Sequence, residues 1–568
     1  MELINQHTKK LMEDCKVKAR EAGLKFDKET LEYIVTNRDL LELSPKIMIP
    51  TLYDYWVHDV YVLQEKGKYE IFPHNPYETV INTRPAISFY NDNNPDWLNV
   101  MIFYHVIGHI DFFQNNKFYR GTWKDDFTGK ALADKRLMAK MRIDHGRWVD
   151  YLIEFSRGID NLVGFHNELA NSDEERVSTE SKKVDFYFDV FLQNIKKVSM
   201  TQYLKEMERY NETLKKFPDV GETLFFSNVI KEHPEFDSLF EKHVKDPKTT
   251  KQDLVQYLDE HSEFLNKDKN KWMKLVMDVV RDTSLYFQPQ LRDHIMNEGW
   301  ASYWHDKLFM QDEAMKTHEI DFSIVNSKVM SIPFVGLNPY AIGWRLWMHI
   351  EEQQNKGKYS YEYQKITDAK ERKAYDKKVG GGKELIFRLR EDLNDFMFVN
   401  SFIDQEFMDK HNLFVVGQRI NMRKGVMEYY IRSKKAEDYK KMMVNKMYHP
   451  PHIKVNSSKA KEGELYLDHI FEDKPLYKQF IPMTMMGLEY LWGNTIKLET
   501  SEIDQKEMQR LQREAQEILY STGMLDIDEF LSKQKMKYRR VLYTMKDKDL
   551  SKEYIDEEAK KDQYVFRW

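Results

Sequence analysis

Residues 94–116 read NPDWLNVMIFYHVIGHIDFFQNN, and this stretch decides the fold around it. Its first three residues are typical of a helix start, because proline suits the first helical position and an acid there complements the helix dipole. Nearly every later position is apolar, so the predicted helix is buried on most sides. His105 and His109 are four residues apart and share one face of this helix. Buried imidazoles need polar partners, so the pair predicts a functional site.

The spacing of the two histidines is weak evidence when taken alone. With 18 histidines among 568 residues, chance produces about 0.6 pairs at this spacing. A core pair bonded to carbonyls or carboxylates explains the spacing equally well. In H-E-x-x-H peptidases a glutamate follows the first histidine and acts as general base, whereas here that position is Val106. The pattern therefore indicates ligands without indicating a mechanism.

A second stretch, residues 296–305, reads MNEGWASYWH. It belongs to a predicted helix whose neighbouring positions are apolar or aromatic. Gly299 indicates that another element approaches closely, since glycine inside a helix otherwise costs about 1 kcal/mol relative to alanine. A buried carboxylate such as Glu298 is costly unless it is paired or bound to metal. One polar stripe runs along this helix at helical spacing and comprises His294, Glu298, Ser302 and His305.

His105, His109 and Glu298 are the predicted metal ligands. Two imidazoles and one carboxylate hold Zn²⁺ in hydrolases that keep one coordination position open. The same set forms the facial triad of non-haem Fe(II) enzymes, although that triad usually lies on a β-barrel, which this sequence does not predict. A buried ion pair of Glu298 with a histidine or an arginine is the structural alternative. We expect a divalent metal, with Zn as the first choice and Fe as the alternative.

Several blocks of the chain resemble the SpoVR family, named after stage V sporulation protein R. The resemblance covers roughly residues 45–500, and the N-E-G-W-A-x-x-W-H block at 297–305 is its most specific part. It implies a role in forming the spore cortex, a modified peptidoglycan, and a functional link to a PrkA-type serine protein kinase. The other matching blocks are Gly108-His109 with 112–116, then 336–343, and more weakly 389–392.

The order of elements is also similar to that of zinc-dependent peptidases of the gluzincin kind. In those enzymes strands precede a helix bearing two histidines, and a later helix supplies a glutamate. This similarity implies an amide hydrolase acting on a peptide or peptidoglycan precursor. Because Val106 cannot take a proton, His305 or Glu391 is the candidate base, and Tyr340 is the candidate oxyanion donor. His305 is alternatively a further metal ligand. The candidate substrate-binding residues are Asn115, Asn116, Asn338 and Arg390.

A non-catalytic function is a separate hypothesis. The chain would then be an assembly or regulatory factor in sporulation or stress response, with its later domain and tail binding partners. Val106 favours this hypothesis, because it removes the usual catalytic glutamate.

The sequence predicts an α+β chain of three parts. Residues 1–410 form a large, mostly helical domain with a small zincin-like β element, and residues 30–41 are predicted as helix. Residues 351–383 are predicted as an insertion or mobile hairpin. Residues 501–568 are predicted as a charged helical tail with an extended end at 564–568. Residues 411–500 are predicted as a ferredoxin-like βαββαβ domain, with strands near 426–433, 451–456, 464–470 and 495–500 and helices near 435–446 and 475–491.

Composition excludes several classes of protein. Charged residues make up 32% and apolar residues 41% of the chain, and the net charge is −6. These values describe a soluble folded protein without the basic field that nucleic acid requires. The single cysteine, Cys15, rules out an intrachain disulfide and a multi-cysteine zinc site. No apolar leader and no run of about 18 apolar residues occurs. We therefore expect a cytoplasmic protein without a membrane span, and the sequence leaves its oligomeric state open.

Overall fold

The structure is a computed structural model that describes residues 2–36, 78–119, 127–163, 182–196, 206, 209–210, 212–217, 221–245 and 253–558. By their contacts the residues fall into two compact units, residues 1–163 with 254–568 and residues 164–253. This division does not cut the chain at 410 or 500, so those two boundaries stay predictions. The expected extended end at 564–568 lies outside the described residues.

Helices make up most of the described residues in both units. The first are α1 (Gln6–Glu21), α2 (Asp96–Asn115), α3 (Phe127–His145) and α4 (Trp148–Arg157). The smaller unit has α5 (Lys182–Asp185), a π-helical segment (Phe186–Ile195), α6 (Gly221–Glu232) and α7 (Phe236–Lys245). From residue 254 follow α8 (Leu254–His261), α9 (Lys271–Arg292), α10 (His294–Gln311), α11 (Glu319–Val329), α12 (Pro339–Asn355), α13 (Tyr361–Gln364), α14 (Ala369–Ala374), α15 (Gly382–Asp392), α16 (Asp395–Phe402), α17 (Gln405–Lys410), α18 (Ala436–Lys446), α19 (Ile481–Trp492), α20 (Gln505–Thr522) and α21 (Ile527–Ser532).

The described strands form three small sheets, all in the larger unit. A four-stranded sheet has the order β1-β2-β4-β3, with β2 and β4 parallel. A three-stranded sheet has the order β10-β5-β6, and a five-stranded sheet has the order β12-β11-β9-β8-β7. The strands are β1 (Glu2–Leu3), β2 (Thr30–Val35), β3 (Glu78–Ile81), β4 (Ala86–Asn91), β5 (Val415–Asn421), β6 (Val426–Ser433), β7 (His452–Val455), β8 (Leu465–Ile470), β9 (Ile496–Ile503), β10 (Met524–Asp526), β11 (Tyr538–Lys546) and β12 (Asp549–Glu558).

The fold is therefore mixed α+β, as predicted, but the ferredoxin-like sheet does not form. The predicted strands and helices after residue 411 are present, yet β6 pairs with β5 while β7, β8 and β9 belong to the five-stranded sheet. The sequence prediction missed β5, which is joined to β6 by a tight turn at 422–425 in which Gly425 has a φ of +66°. β6 pairs with β5 in preference to a more distant strand, because closing the short loop between them costs little conformational entropy.

The prediction of a charged helical tail from residue 501 was right for its first part and wrong for the rest. Helix α20 is present, but β11 and β12 follow it and extend the five-stranded sheet through antiparallel pairing of β11 with β9. Along β11 the residues Val541, Tyr543 and Met545 are buried at every second position. This period of two is the pattern of a strand with one buried face, although the surrounding charges obscure it.

Two smaller predictions were also wrong. Residues 30–35 form strand β2 rather than helix, since TLEYIV is rich in β-branched and aromatic residues and pairs in parallel with β4. The segment 351–383 is helical rather than a hairpin, because α12 continues to Asn355 and two short helices follow, and the alternative that it is an insertion stays a prediction. Lys358 is buried there and donates to Glu406 at 2.7 Å. Among the described helices, none combines the length and apolar character needed to cross a bilayer.

Candidate metal centre

Three helices meet at the site, with α10 packed against both α2 and α12. A Cβ atom added to Gly108 on α2 would lie 2.7 Å from the Cα atom of Ala301 on α10. One added to Gly299 would lie 2.4 Å from the Cα atom of Gly343 on α12. Only glycine allows backbones to approach this closely. The close approach predicted at Gly299 is confirmed, and these contacts set the distance between the helices that carry the predicted ligands.

The packing brings together the three predicted ligands. His105 and His109 are both buried, and the side chain of Glu298 is 14% exposed. The two histidine Nε2 atoms are 3.1 Å apart, and Glu298 Oε2 lies 3.4 Å from His109 Nε2 and 3.8 Å from His105 Nε2. Ligand atoms placed 2.0–2.1 Å from a tetrahedral zinc ion lie about 3.3 Å from one another. The observed triangle has nearly that size.

The hydrogen bond of His109 fixes which of its nitrogens has a lone pair. Its Nδ1 atom lies 2.9 Å from the side-chain oxygen Oδ1 of Asn297, the residue before Glu298. An amide oxygen only accepts, so Nδ1 donates, and in the neutral form of the ring the Nε2 atom keeps its lone pair. That lone pair points toward Glu298 and His105.

A longer chain of hydrogen bonds fixes His105. Asn326 donates from Nδ2 to Asp306 at 3.2 Å, which turns its oxygen toward His305 Nε2 at 3.0 Å. Burial, together with the nearby His105, lowers the pKa of His305 to about 3, so its ring is neutral. Its Nδ1 atom therefore accepts, and His105 Nδ1 donates to it at 2.9 Å. The Nε2 atom of His105 then also keeps a lone pair.

Glu298 completes a set of three electron-pair donors. Burial raises the pKa of its carboxyl, and protonated or donating His109 and His105 rings would lower it well below the usual value. With the neutral rings described above, a divalent cation bound between the three side chains would take over this role and keep the carboxylate ionised. Its buried Oε2 atom accepts no hydrogen bond within the described part of the chain. Two lone pairs and one anionic oxygen directed at one point repel one another unless a cation lies between them, so the arrangement fits a divalent metal.

The amide of Asn297 gives a direct test of this hydrogen-bond pattern. We expect Asn297→Ala to weaken zinc binding about 10–100-fold, because His109 loses the acceptor that sets its tautomer and orientation. Competition with a chromogenic chelator measures the affinity. Asn115→Ala is the matched control, since the Asn115 amide donates to the backbone carbonyls of Lys25 and Asp111. Equal zinc affinity in both variants would contradict the assignment.

The predicted catalytic residues occupy different surroundings. The ring of Tyr340 stacks on that of His105, with centroids 6.0 Å apart. His305 is buried and has both ring nitrogens in hydrogen bonds, which makes it a partner of His105 in this structure. Glu391 lies 3.7 Å from Arg390 and is half-exposed. Tyr340 and His305 therefore lie beside the predicted ligand His105, whereas Glu391 lies beside Arg390.

The predicted substrate-binding residues have structural contacts. Asn115 and Asn116 donate to backbone carbonyls, and Asn338 caps the start of α12 by accepting from Ala341 N. Arg390 is fully buried, with its Nε atom 3.4 Å from Asp111 Oδ2. Burial raises the pKa of Asp111 to about 6, although Arg390 opposes this shift. A role of these four residues in substrate binding stays a prediction.

Sequence reasoning missed three residues that hold the site together, namely Asn297, Asn326 and Asp306. Asn297 could have been identified from the sequence, because it directly precedes Glu298 in the block 297–305. Asn326 lies on α11, and no local pattern connects it with His305 on α10.

Comparison with known proteins supports the family resemblance that the sequence blocks indicated. A family model described as "SpoVR like protein" matches residues 3–450. This chain belongs to the SpoVR family. The SpoVR match spans α2, α10 and α12 and so includes all three candidate ligands. The chain is also similar to "Uncharacterized protein YcgB" of Escherichia coli (strain K12), at 21% identity over 500 residues that cover 83% of this chain and 87% of that protein. No solved structure matches this SpoVR chain.

Proposed function

We propose that this SpoVR-family protein is a metal-dependent hydrolase that cleaves an amide bond, with His105, His109 and Glu298 as ligands of Zn²⁺. The observation that carries the proposal is the convergence of two histidine Nε2 atoms and one carboxylate oxygen that accepts no described hydrogen bond, all within 3.8 Å of one another. The small sheet just before α2 supports it further, because strands preceding a two-histidine helix are what a zincin-like arrangement requires.

His105, His109 and Glu298 would hold the zinc ion, which would supply polarisation of a carbonyl and a lowered pKa of water. The protein supplies the orientation, since Asn297 and His305 hold the two imidazoles in one tautomer each. Tyr340 lies against His105 and is the proposed donor to the developing oxyanion. The proposed base is Glu391 or His305, and His305 would take this role in place of orienting His105, since both of its ring nitrogens are in hydrogen bonds.

Membership of the SpoVR family supports a choice of substrate class. The SpoVR name refers to a sporulation protein, and the spore cortex is a modified peptidoglycan. We therefore propose an amide bond of a peptide or peptidoglycan precursor as the substrate, acted on in the cytoplasm. A functional link to a PrkA-type serine protein kinase belongs to the same proposal.

Mass spectrometry of zinc-loaded protein incubated with fluorescent peptide and peptidoglycan-precursor amides tests the activity. We expect products that have gained one water across an amide bond, and no such products with Glu298→Gln. Tyr340→Phe should lower kcat about 100-fold with little change in KM, as loss of an oxyanion donor does. Equal cleavage by wild type and Glu298→Gln would reveal a contaminating peptidase and contradict the proposal.

A second candidate is a non-catalytic assembly or regulatory factor stabilised by its metal. The observation that favours it is Val106, which is fully buried where H-E-x-x-H peptidases carry their base. Under this hypothesis zinc-loaded protein cleaves none of the amides, while His109→Ala lowers thermal stability. Dioxygen uptake by iron-loaded protein would instead favour a non-haem iron enzyme.

A further inference from the structure

Strand β6 is the outer strand of the three-stranded sheet, and no described strand pairs with its other edge. Its sequence is VMEYYIRS, with five apolar or aromatic residues among eight. Met427, Tyr429 and Ile431 point to one face and are 51%, 53% and 43% exposed. A long apolar edge strand is a template for pairing with another strand, and soluble proteins normally protect it.

The other edge strands of the described sheets are protected in recognised ways. β1, β3, β7 and β10 have only two to four residues each. β12 is long, but its sequence DLSKEYIDEE has six charged residues among ten. Short length and charge both discourage pairing between edges. β6 has eight residues and only two charges, and the one irregularity in its pairing with β5 lies at its end, between Ile431 and Ser433. The apolar stretch before it has neither protection, so its side chains indicate an occupant.

We propose that the occupant is β6 of a second copy of this chain, paired antiparallel about Tyr430. In this register Glu428 lies opposite Arg432 of the second copy, and Tyr429 lies opposite Ile431 of the second copy. Opposite charges and an aromatic residue facing a β-branched one are favourable pairs across strands. By symmetry each pair occurs twice, and the interface is closed, which gives a dimer rather than a filament.

Charged residues already alternate in sign from strand to strand across one face of this sheet, and the proposed pairing continues the alternation. Asp526 on β10 is the register partner of Arg419 on β5, and Arg419 is the partner of Glu428 on β6. Arg419 also donates to Glu428 at 3.1 Å. The row is therefore acid, base, acid. Arg432 lies 3.5 Å from Asp526 of its own chain, and in the dimer it would exchange this contact for one with Glu428 of the other copy and so add the next base. The result is a six-stranded sheet with alternating charges on one face and the exposed apolar residues on the other.

Disulfide trapping tests the register directly. Tyr430→Cys places the new thiol on the two-fold axis, within reach of its copy, and we expect a cross-linked dimer under mild oxidation. Glu428→Cys is the matched control on the same strand and face. Its copy would lie four residues along the strand, about 13 Å away, beyond the reach of a disulfide. The native Cys15 is buried, so wild-type protein supplies the background.

Sedimentation of the full chain supplies a second readout that needs no cysteine. We expect a wild-type dimer, and about tenfold weaker dimerisation for Ile431→Lys, since the symmetric interface loses two apolar pairs. Ile320→Lys makes the same change at an exposed position of α11 and should leave dimerisation unchanged. A monomeric wild-type protein, or equal cross-linking of the two cysteine variants, would overturn the proposal. A monomer that captures an extended peptide on β6 would assign the edge to another partner and overturn it equally.

Discussion

His109→Ala protein is expected to retain less than about one tenth of the metal that wild-type protein holds after dialysis against a weak chelator. Loss of an outer contact to a ligand already costs about 10–100-fold in metal affinity, and loss of the ligand itself costs at least as much. Glu298→Gln should have a similar effect, because the neutral amide cannot replace the anionic oxygen 3.4 Å from His109 Nε2. Inductively coupled plasma mass spectrometry gives the metal content per chain.

The control for this experiment is His318→Ala, which removes an exposed histidine that pairs with Asp321. Its metal content should equal that of wild type. Circular dichroism confirms that each variant is folded before its metal is measured. Unchanged metal content in both His109→Ala and Glu298→Gln would contradict the ligand assignment and leave the cluster as a buried ion pair.

Gly299→Ala is expected to destabilise the protein by about 1–3 kcal/mol, as overpacking of a tight core does. The new Cβ would lie 2.4 Å from the Gly343 backbone, so α10 and α12 must separate. In an unconstrained helix the same substitution would stabilise by about 1 kcal/mol, which makes the expected sign informative. Because α10 carries Glu298, metal affinity should fall with stability. Denaturant unfolding and chelator competition measure the two effects.

Gly158→Ala is the matched control for the helix contact. Gly158 ends α4 with a φ of −61°, which alanine adopts readily, and its Cβ would lie 3.3 Å from the Phe155 carbonyl oxygen. We expect a change below about 1 kcal/mol in the free energy of unfolding. If Gly299→Ala were as stable as wild type and bound metal equally well, close helix packing would not set the geometry of the site.

Local signals in the sequence were sufficient for the helices of the site. The proline and acid at the start of α2, its apolar faces and the histidine spacing predicted a buried helix with two ligands. Gly299 predicted a close helix contact, and the structure confirms it at Gly343. These features depend on residues within one or two turns, which is why they are visible in one sequence.

Long-range pairing explains what could not be predicted. β2 is a strand because it lies beside β4, and β11 is a strand because it lies beside β9, yet neither partner is close in the chain. The ferredoxin-like prediction had the right elements in the right order and assigned them to one sheet, whereas β5 takes β6 into another. In the site, His305 reaches Asn326 only because α11 folds back on α10.

The most direct test of the central claim is a crystal of protein grown with zinc, with diffraction collected on both sides of the zinc absorption edge. We expect one strong anomalous peak about 2.0–2.1 Å from His105 Nε2, His109 Nε2 and Glu298 Oε2. A peak at any other position, or no peak at these three atoms in protein that contains zinc in solution, would contradict the claim that they form a metal site.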